Sequence, residues 1–266
     1  MPTLLRRISD RLRWELREWR SPSRPAFIHE ELDAAILQTV AWPVGGRILD
    51  VGCGLGEYMQ ALARRGCNIL GIDINRLALR VAVTGGNQVA AADAMKLPFA
   101  DETFDGLLCH KTLYLFTDLP AAAEELARVI RPGGRLVFST SNPASPYARV
   151  QHLATAGGRN HNWHRCNAWS VPQWCRAFAA HGLTLAAVYS CNLVWPVVFR
   201  VCDRWLIPNE WMRRYNRLIR RLSRLPPRGP RPRSAALDYV VEMVKQPNAE
   251  HPSQAHGSAL GMPPGP

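Results

Sequence analysis

From residue 47 onward, short apolar runs alternate with longer amphipathic stretches, and this alternation narrows the possible folds more than any other feature of the chain. The runs RILDV, CNILGID, QVAAAD, FDGLLC and GRLVFST read as buried strands. Between them, GEYMQALARR, NRLALRVAV and DLPAAAEELARVI read as helices. Strand–helix alternation with short loops predicts an open, mostly parallel α/β sheet with right-handed crossovers. RPGG (131–134) reads as a turn feeding the fifth strand. Further on, Ser170 with Gln173 forms a capping-box pattern that opens a helix, and Gly182 suits its end. LTLAAVYSCNLV then reads as a sixth strand and ALDYVVEMVK (236–245) as a seventh.

The flanks differ from this body. Residues 3–20 carry Leu4, Ile8, Leu12, Leu16 and Trp19 at helical spacing, with Arg and acidic residues between them. SPSRP breaks that helix, and HEELDAAILQTV reads as a second one. The expected organisation is a basic amphipathic helix over 1–24, one domain over 25–246 with a basic insertion at 193–235, and a disordered tail over 247–266.

Charge is informative by position. The chain of 266 residues carries a net +12. Residues 1–24 hold seven Arg against Asp10, Glu15 and Glu18, and residues 195–234 hold eleven Arg against Asp203 and Glu210. The rest is near neutral. Seven Cys with no CxxC pair argue against a disulfide framework or a zinc ribbon and suit a reducing cytoplasm. His161, His164 and Cys166 have no fourth partner in pattern, so no metal site is expected. Arg and Glu interrupt the N-terminus too often for a signal peptide, and LVWPVVF (193–199) is too short to span a bilayer.

The first strand runs into ILDVGCGLGEY, with Gly52, Gly54 and Gly56 in G-x-G-x-G spacing. A dinucleotide turn is typically G-x-G-x-x-G, with a pyrophosphate at the helix N-terminus. Asp50 would repel a pyrophosphate here and would suit a ligand bearing cationic groups. With LDVGCGLG, GIDIN, AADAMKLPFADETFDGLLC and ELARVIRPGGRLVFST in register, residues 45–192 resemble the class I methyltransferases that use S-adenosylmethionine (SAM). Within them the chain is similar to the methyltransferase type 11-like, small-molecule group that includes the quinone-biosynthesis enzymes.

That resemblance implies a Rossmann-like, seven-stranded, mostly parallel sheet with helices on both faces, an antiparallel last strand and a helical insertion before it. It also implies roles for particular residues. Gly52, Cys53, Gly54 and Gly56 would form the cofactor turn, and Asp50 would help to orient the methionine amine. Asp73 would hold both ribose hydroxyls, Ile74 would pack on the adenine, and Asp93 with the Ala94 N–H would read the adenine edge. Cys109 would lie beside the methionine end, although a Cys ending a buried strand is more often filler. His110, Tyr114 and His164 are the candidates for a catalytic base.

The partners follow from the basic segments. In NEWMRRYNRLIRRLSRL (209–225), Trp211, Met212, Tyr215, Leu218, Ile219 and Leu222 share one helical face and Arg fills the other. Such a helix suits the interface of an anionic membrane or a lid over the site. The expected acceptor is a small hydrophobic molecule, lipid, isoprenoid or quinone-like, methylated at the cytoplasmic face of the membrane. Nucleic acid is disfavoured, because CHKT stands where amino-methylating DNA and RNA enzymes carry an Asn/Asp-Pro-Pro-aromatic motif. An RNA-directed methyltransferase and a non-catalytic partner subunit with the same fold are the competing readings.

Overall fold

A computed structural model of the chain describes residues 32–145, 169–191, 214, 228–229, 236 and 238–247. The N-terminal helix expected over 1–24, His164, nearly all of the 193–235 insertion and all of the tail but Pro247 lie outside the described residues. Eight strands form one sheet: β1 (Arg47–Val51), β2 (Asn68–Asp73), β3 (Val89–Ala91), β4 (Phe104–Cys109), β5 (Ile130–Ser141), β6 (Leu183–Cys191), β7 (Arg228–Gly229) and β8 (Asp238–Lys245). Their order is β3-β2-β1-β4-β5-β8-β6-β7.

β1 to β5 pair in parallel, and β8 runs antiparallel between β5 and β6. The expected seven strands and the antiparallel last strand are therefore present. β7 is an addition: two residues from within the basic insertion, paired to the edge of β6. Residues 131–134, expected as a turn before β5, lie within it. They loop out between the pairs Phe104↔Ile130 and Gly106↔Arg135, so RPGG is a bulge in a longer strand.

Alternation along the strands sorts side chains to two cores. Leu49, Leu107, Leu136, Phe138, Val188 and Val241 join one buried cluster. Their neighbours Ile48, Leu108, Val137, Tyr189 and Val240 join the other. The first is covered by α3 (Leu119–Val129) and α4 (Val171–Ala179), where Trp174 and Phe178 pack on Phe138. The second is covered by residues 32–42, whose Ala34–Thr39 segment is π-helical, and by Leu62 of α1 (Glu57–Ala63). α2 (Arg76–Thr84) packs Leu79 against Met59 and Cys53. Helices begin where the sequence provides caps. Asn75 Oδ1 accepts from the Leu77 and Ala78 amides, and Asp118 Oδ1 accepts from the Ala121 amide. Gln173 Oε1 accepts from the Ser170 amide, completing its half of the expected capping box.

One long-range clamp positions the site. Arg128 of α3 reaches Glu125 and Asp101 and donates to the carbonyls of Phe99 and Leu97, while Glu125 Oε2 accepts from the Leu97 amide. The 97–101 segment that follows Asp93 and Ala94 is thereby fastened to α3. Arg128→Ala is expected to lower stability by about 1–3 kcal/mol, because two loop carbonyls and two carboxylates lose their donor. A fall in melting temperature with faster amide exchange confined to residues 95–101 would be the signature.

Candidate active site

The sheet order reverses between β1 and β4, and ligands in open α/β sheets bind in the crevice outside the carboxyl ends of the strands at such a point. The residues singled out in the sequence converge there. Gly52–Gly56 follow β1, Asp73 and Ile74 end β2, Asp93 and Ala94 follow β3, and His110 follows β4.

The glycine turn is built on β2. The Gly52 and Cys53 amides both donate to the Ile72 carbonyl, at 2.7 and 2.9 Å. Gly52 has φ +72°, and a Cβ there would run into the Thr112 side chain, so the loop after β4 lies directly on the turn. Gly54 has φ +53°, yet a Cβ there would meet nothing within 4 Å. Its surroundings are open, as close approach by a ligand requires. Gly56 caps α1 in the left-handed region.

Three acidic residues face this turn differently. Asp73 is pinned: Oδ2 accepts from the Gly54 amide at 3.0 Å and Oδ1 from the Asn75 amide at 2.7 Å. A carboxylate offers about four lone-pair positions, so acceptor capacity remains on both oxygens. Asp50 is 3% exposed, and among the described residues it has no hydrogen-bond donor. Burial, and then the Asp73 charge beside it, push its carboxyl up to about 7. Asp93 is exposed and its Oδ1 accepts from the Met95 amide. Next to Asp73, Ile74 is 76% exposed, an apolar side chain standing in the open at the mouth of the crevice.

Two cysteine side chains pack inward. Cys109 is fully buried within the first core cluster, so it is filler and presents no atom to a ligand. Its place in β4, in phase with Leu107, turns it toward α3 and α4 rather than the crevice. Burial, with the Asp50 charge second, raises its thiol well above the ordinary range. The Cys53 side chain likewise packs under the turn with Met59 and Leu79, so only its backbone belongs to the turn.

His110 lies in a side-chain cluster that the sequence did not announce. Its Nδ1 is 3.1 Å from Ser139 Oγ, and its Nε2 is 3.4 Å from the Tyr58 hydroxyl. Tyr58 in turn donates to Asp33 Oδ1 at 2.6 Å. The next residue, Lys111, adopts φ +51°, and its amide donates to Ser139 Oγ at 2.9 Å. A non-glycine residue in the left-handed region costs about 1–2 kcal/mol and is held here by its surroundings. Tyr114 is half-buried in the short 3-10 turn Leu113–Leu115. Tyr58 stands inside the quoted glycine motif, but only the fold brings Asp33 and Ser139 to it. Among the described residues no group of three His, Cys, Asp or Glu is arranged to hold a metal ion.

Residues 49–138 match the family model described as a methyltransferase domain. Over those residues the chain is similar to a methyltransferase domain. It is 34% identical over 135 residues to the ubiquinone biosynthesis O-methyltransferase of Alkalilimnicola ehrlichii, covering 47% of this chain and 55% of that protein. It is 35% identical over 103 residues to the demethylmenaquinone methyltransferase of Corynebacterium kroppenstedtii, covering 38% and 45%. The chain therefore spans about half the length of the curated relatives it matches. The fold is similar to that of a SAM-dependent methyltransferase from Thermotoga maritima, with TM-score 0.64 at 19% identity over 90% of this chain and 99% of that one.

Proposed function

We propose that this chain transfers a methyl group from SAM to a small hydrophobic acceptor of the lipid, isoprenoid or quinone class. The observation that carries the reading is Asp50. A buried carboxylate that meets no donor among the described residues, beneath an open glycine turn, is matched by a ligand with a cationic end and no phosphate. The rest of the crevice fits the same ligand. Asp73 has acceptor capacity for two ribose hydroxyls, exposed Ile74 offers a flat apolar contact, and Asp93 lies at the far edge.

SAM, when bound, supplies a methyl carbon already activated by a sulfonium. What is left for the protein is alignment and proton removal, and alignment alone can lower the barrier by roughly 7–11 kcal/mol. Asp50 would hold the cationic end, Asp73 the ribose, and the glycine turn would fix the depth. His110, half-buried at the end of β4, is the described group best placed to take a proton from the acceptor. The relatives named for ubiquinone and demethylmenaquinone methylation support a quinone-like acceptor. The amphipathic, Arg-rich segments 3–20 and 209–225 support work at the cytoplasmic surface of an anionic membrane.

Two measurements test this reading. Mass spectrometry of the purified protein, with and without added SAM, should reveal a co-purifying apolar molecule that gains one methyl group. Flotation with phosphatidylglycerol vesicles should carry the chain upward at low salt and release it at high salt. An absence of flotation at any salt would contradict the membrane assignment alone.

A further inference from the structure

We infer that Tyr58 and Asp33 are positioning residues for His110, which hold its proton on Nε2 and make Nδ1 the nitrogen that gains a proton. The inference rests on the proposed function for its role and on hydrogen-bond direction for its content. An ionised carboxylate only accepts, so the 2.6 Å contact runs from the Tyr58 O–H to Asp33 Oδ1. With its single proton so committed, the Tyr58 oxygen faces His110 as an acceptor, and Nε2–H donates to it across 3.4 Å. At the other side of the ring, Ser139 Oγ accepts from the Lys111 amide. Its own proton is then directed at Nδ1, 3.1 Å away. The Tyr58 and Asp33 contacts select this tautomer of a neutral imidazole, and the Ser139 contact is compatible with it.

The surroundings keep this order. Burial first, and then the charges of Asp33, Glu57 and Asp50, raise the Tyr58 phenol far above its ordinary range, so it remains a donor to Asp33. The Tyr58 and His110 rings also lie with centroids 4.6 Å apart, which fixes the imidazole plane. During transfer, the acceptor's bond to hydrogen breaks as its proton passes to Ser139 Oγ, and the Ser139 proton passes to Nδ1. The acceptor lone pair bonds to the methyl carbon, and the sulfur–carbon electrons return to sulfur. The Ser139 hydroxyl can turn from donor to acceptor for Nδ1–H, and Asp33, acting through Tyr58, favours the imidazolium.

The tautomer is directly readable. The full chain with 15N-labelled histidine would be studied by long-range proton–nitrogen correlation at a pH where the ring is neutral. His110 is identified by the signal lost in His110→Gln. Wild type should show the Nε2–H form. Tyr58→Phe keeps the ring but removes the acceptor, and Asp33→Asn removes the charge that orients the phenol. Each should move the tautomer ratio toward Nδ1–H by about fivefold, the worth of one ordinary hydrogen bond. Ser139→Ala should leave Nε2–H in place. A purely packing role for Tyr58 predicts no change in Tyr58→Phe. A wild-type Nδ1–H form, or an unchanged ratio in both Tyr58→Phe and Asp33→Asn, would overturn the inference. Should Tyr58→Phe not fold, Asp33→Asn decides. Titration of the same samples with S-adenosylhomocysteine separates the two readings. The expected tautomer without binding contradicts the methyltransferase function, whereas binding with the other tautomer contradicts the positioning role.

Discussion

Asp73→Ala is expected to weaken S-adenosylhomocysteine binding by at least about 100-fold, measured by isothermal titration calorimetry. Two hydrogen bonds from ribose hydroxyls to a carboxylate contribute about 1.5–3 kcal/mol each, and each 1.4 kcal/mol is tenfold in affinity. The substitution also removes a structural link. Asp73 Oδ2 ties the Gly54 amide to the end of β2, and Oδ1 ties the Asn75 amide at the start of α2. Asp73→Asn, which keeps one acceptor oxygen, should fall between the two. An Asp73→Ala chain that binds as wild type does would remove Asp73 from the site.

The second large effect concerns Asp50 and pH. In the free protein its carboxyl sits near 7, well above the ordinary 3.8, because it is buried and lies beside Asp73. A cationic ligand binds the ionised form. Affinity for SAM should therefore rise by up to tenfold per pH unit below about 7 and level off above it, with proton release on binding at neutral pH. The other groups that face Asp50 are Asp73, Tyr58, Cys53 and Cys109. Burial raises both thiols and the phenol, so over this range they stay protonated, whereas Glu57, raised to about 7 by burial and then by the Asp33 charge, titrates alongside Asp50.

Stability should move the opposite way. A carboxyl whose folded pKa is raised binds its proton more tightly in the folded state. The free protein therefore loses stability as pH rises from about 4 to about 7, by a total on the order of 4 kcal/mol at 1.36 kcal/mol per unit. Asp50→Asn should flatten the binding profile and remove the Asp50 share of the stability profile, leaving the share of Glu57. It should raise the melting temperature of the free protein at pH 8 while weakening SAM binding, as when a destabilising group is kept for function. An Asp50→Asn chain with wild-type affinity and an unchanged pH profile would contradict the role of Asp50.

Most of the fold and the glycine turn was legible because both are written in contiguous segments. Gly52, Gly54, Asp50 and Asp73 lie at the carboxyl ends of the first two strands, where a parallel sheet gathers them whatever the details of packing. The parts that were not legible depend on pairings across long sequence distances. Thr112 over Gly52, Arg128 on the 97–101 loop, and Asp33 on Tyr58 leave no mark in local composition. The Cys109 side chain was ambiguous for another reason. β4 is apolar on both faces, so its sequence does not say which neighbour faces the crevice. RPGG carries turn chemistry that the sheet uses as a bulge. Arg228–Gly229 is too short a strand to have a periodicity at all.

The central claim is that the crevice around Gly54, Asp50 and Asp73 holds SAM. Calorimetric titration of the wild-type chain with SAM at pH 8 tests it most directly. The account predicts one-to-one binding with a dissociation constant in the micromolar range, weakening as pH falls below about 7. No binding at ~1 mM SAM, equivalent to an interaction weaker than about 4 kcal/mol, would contradict it.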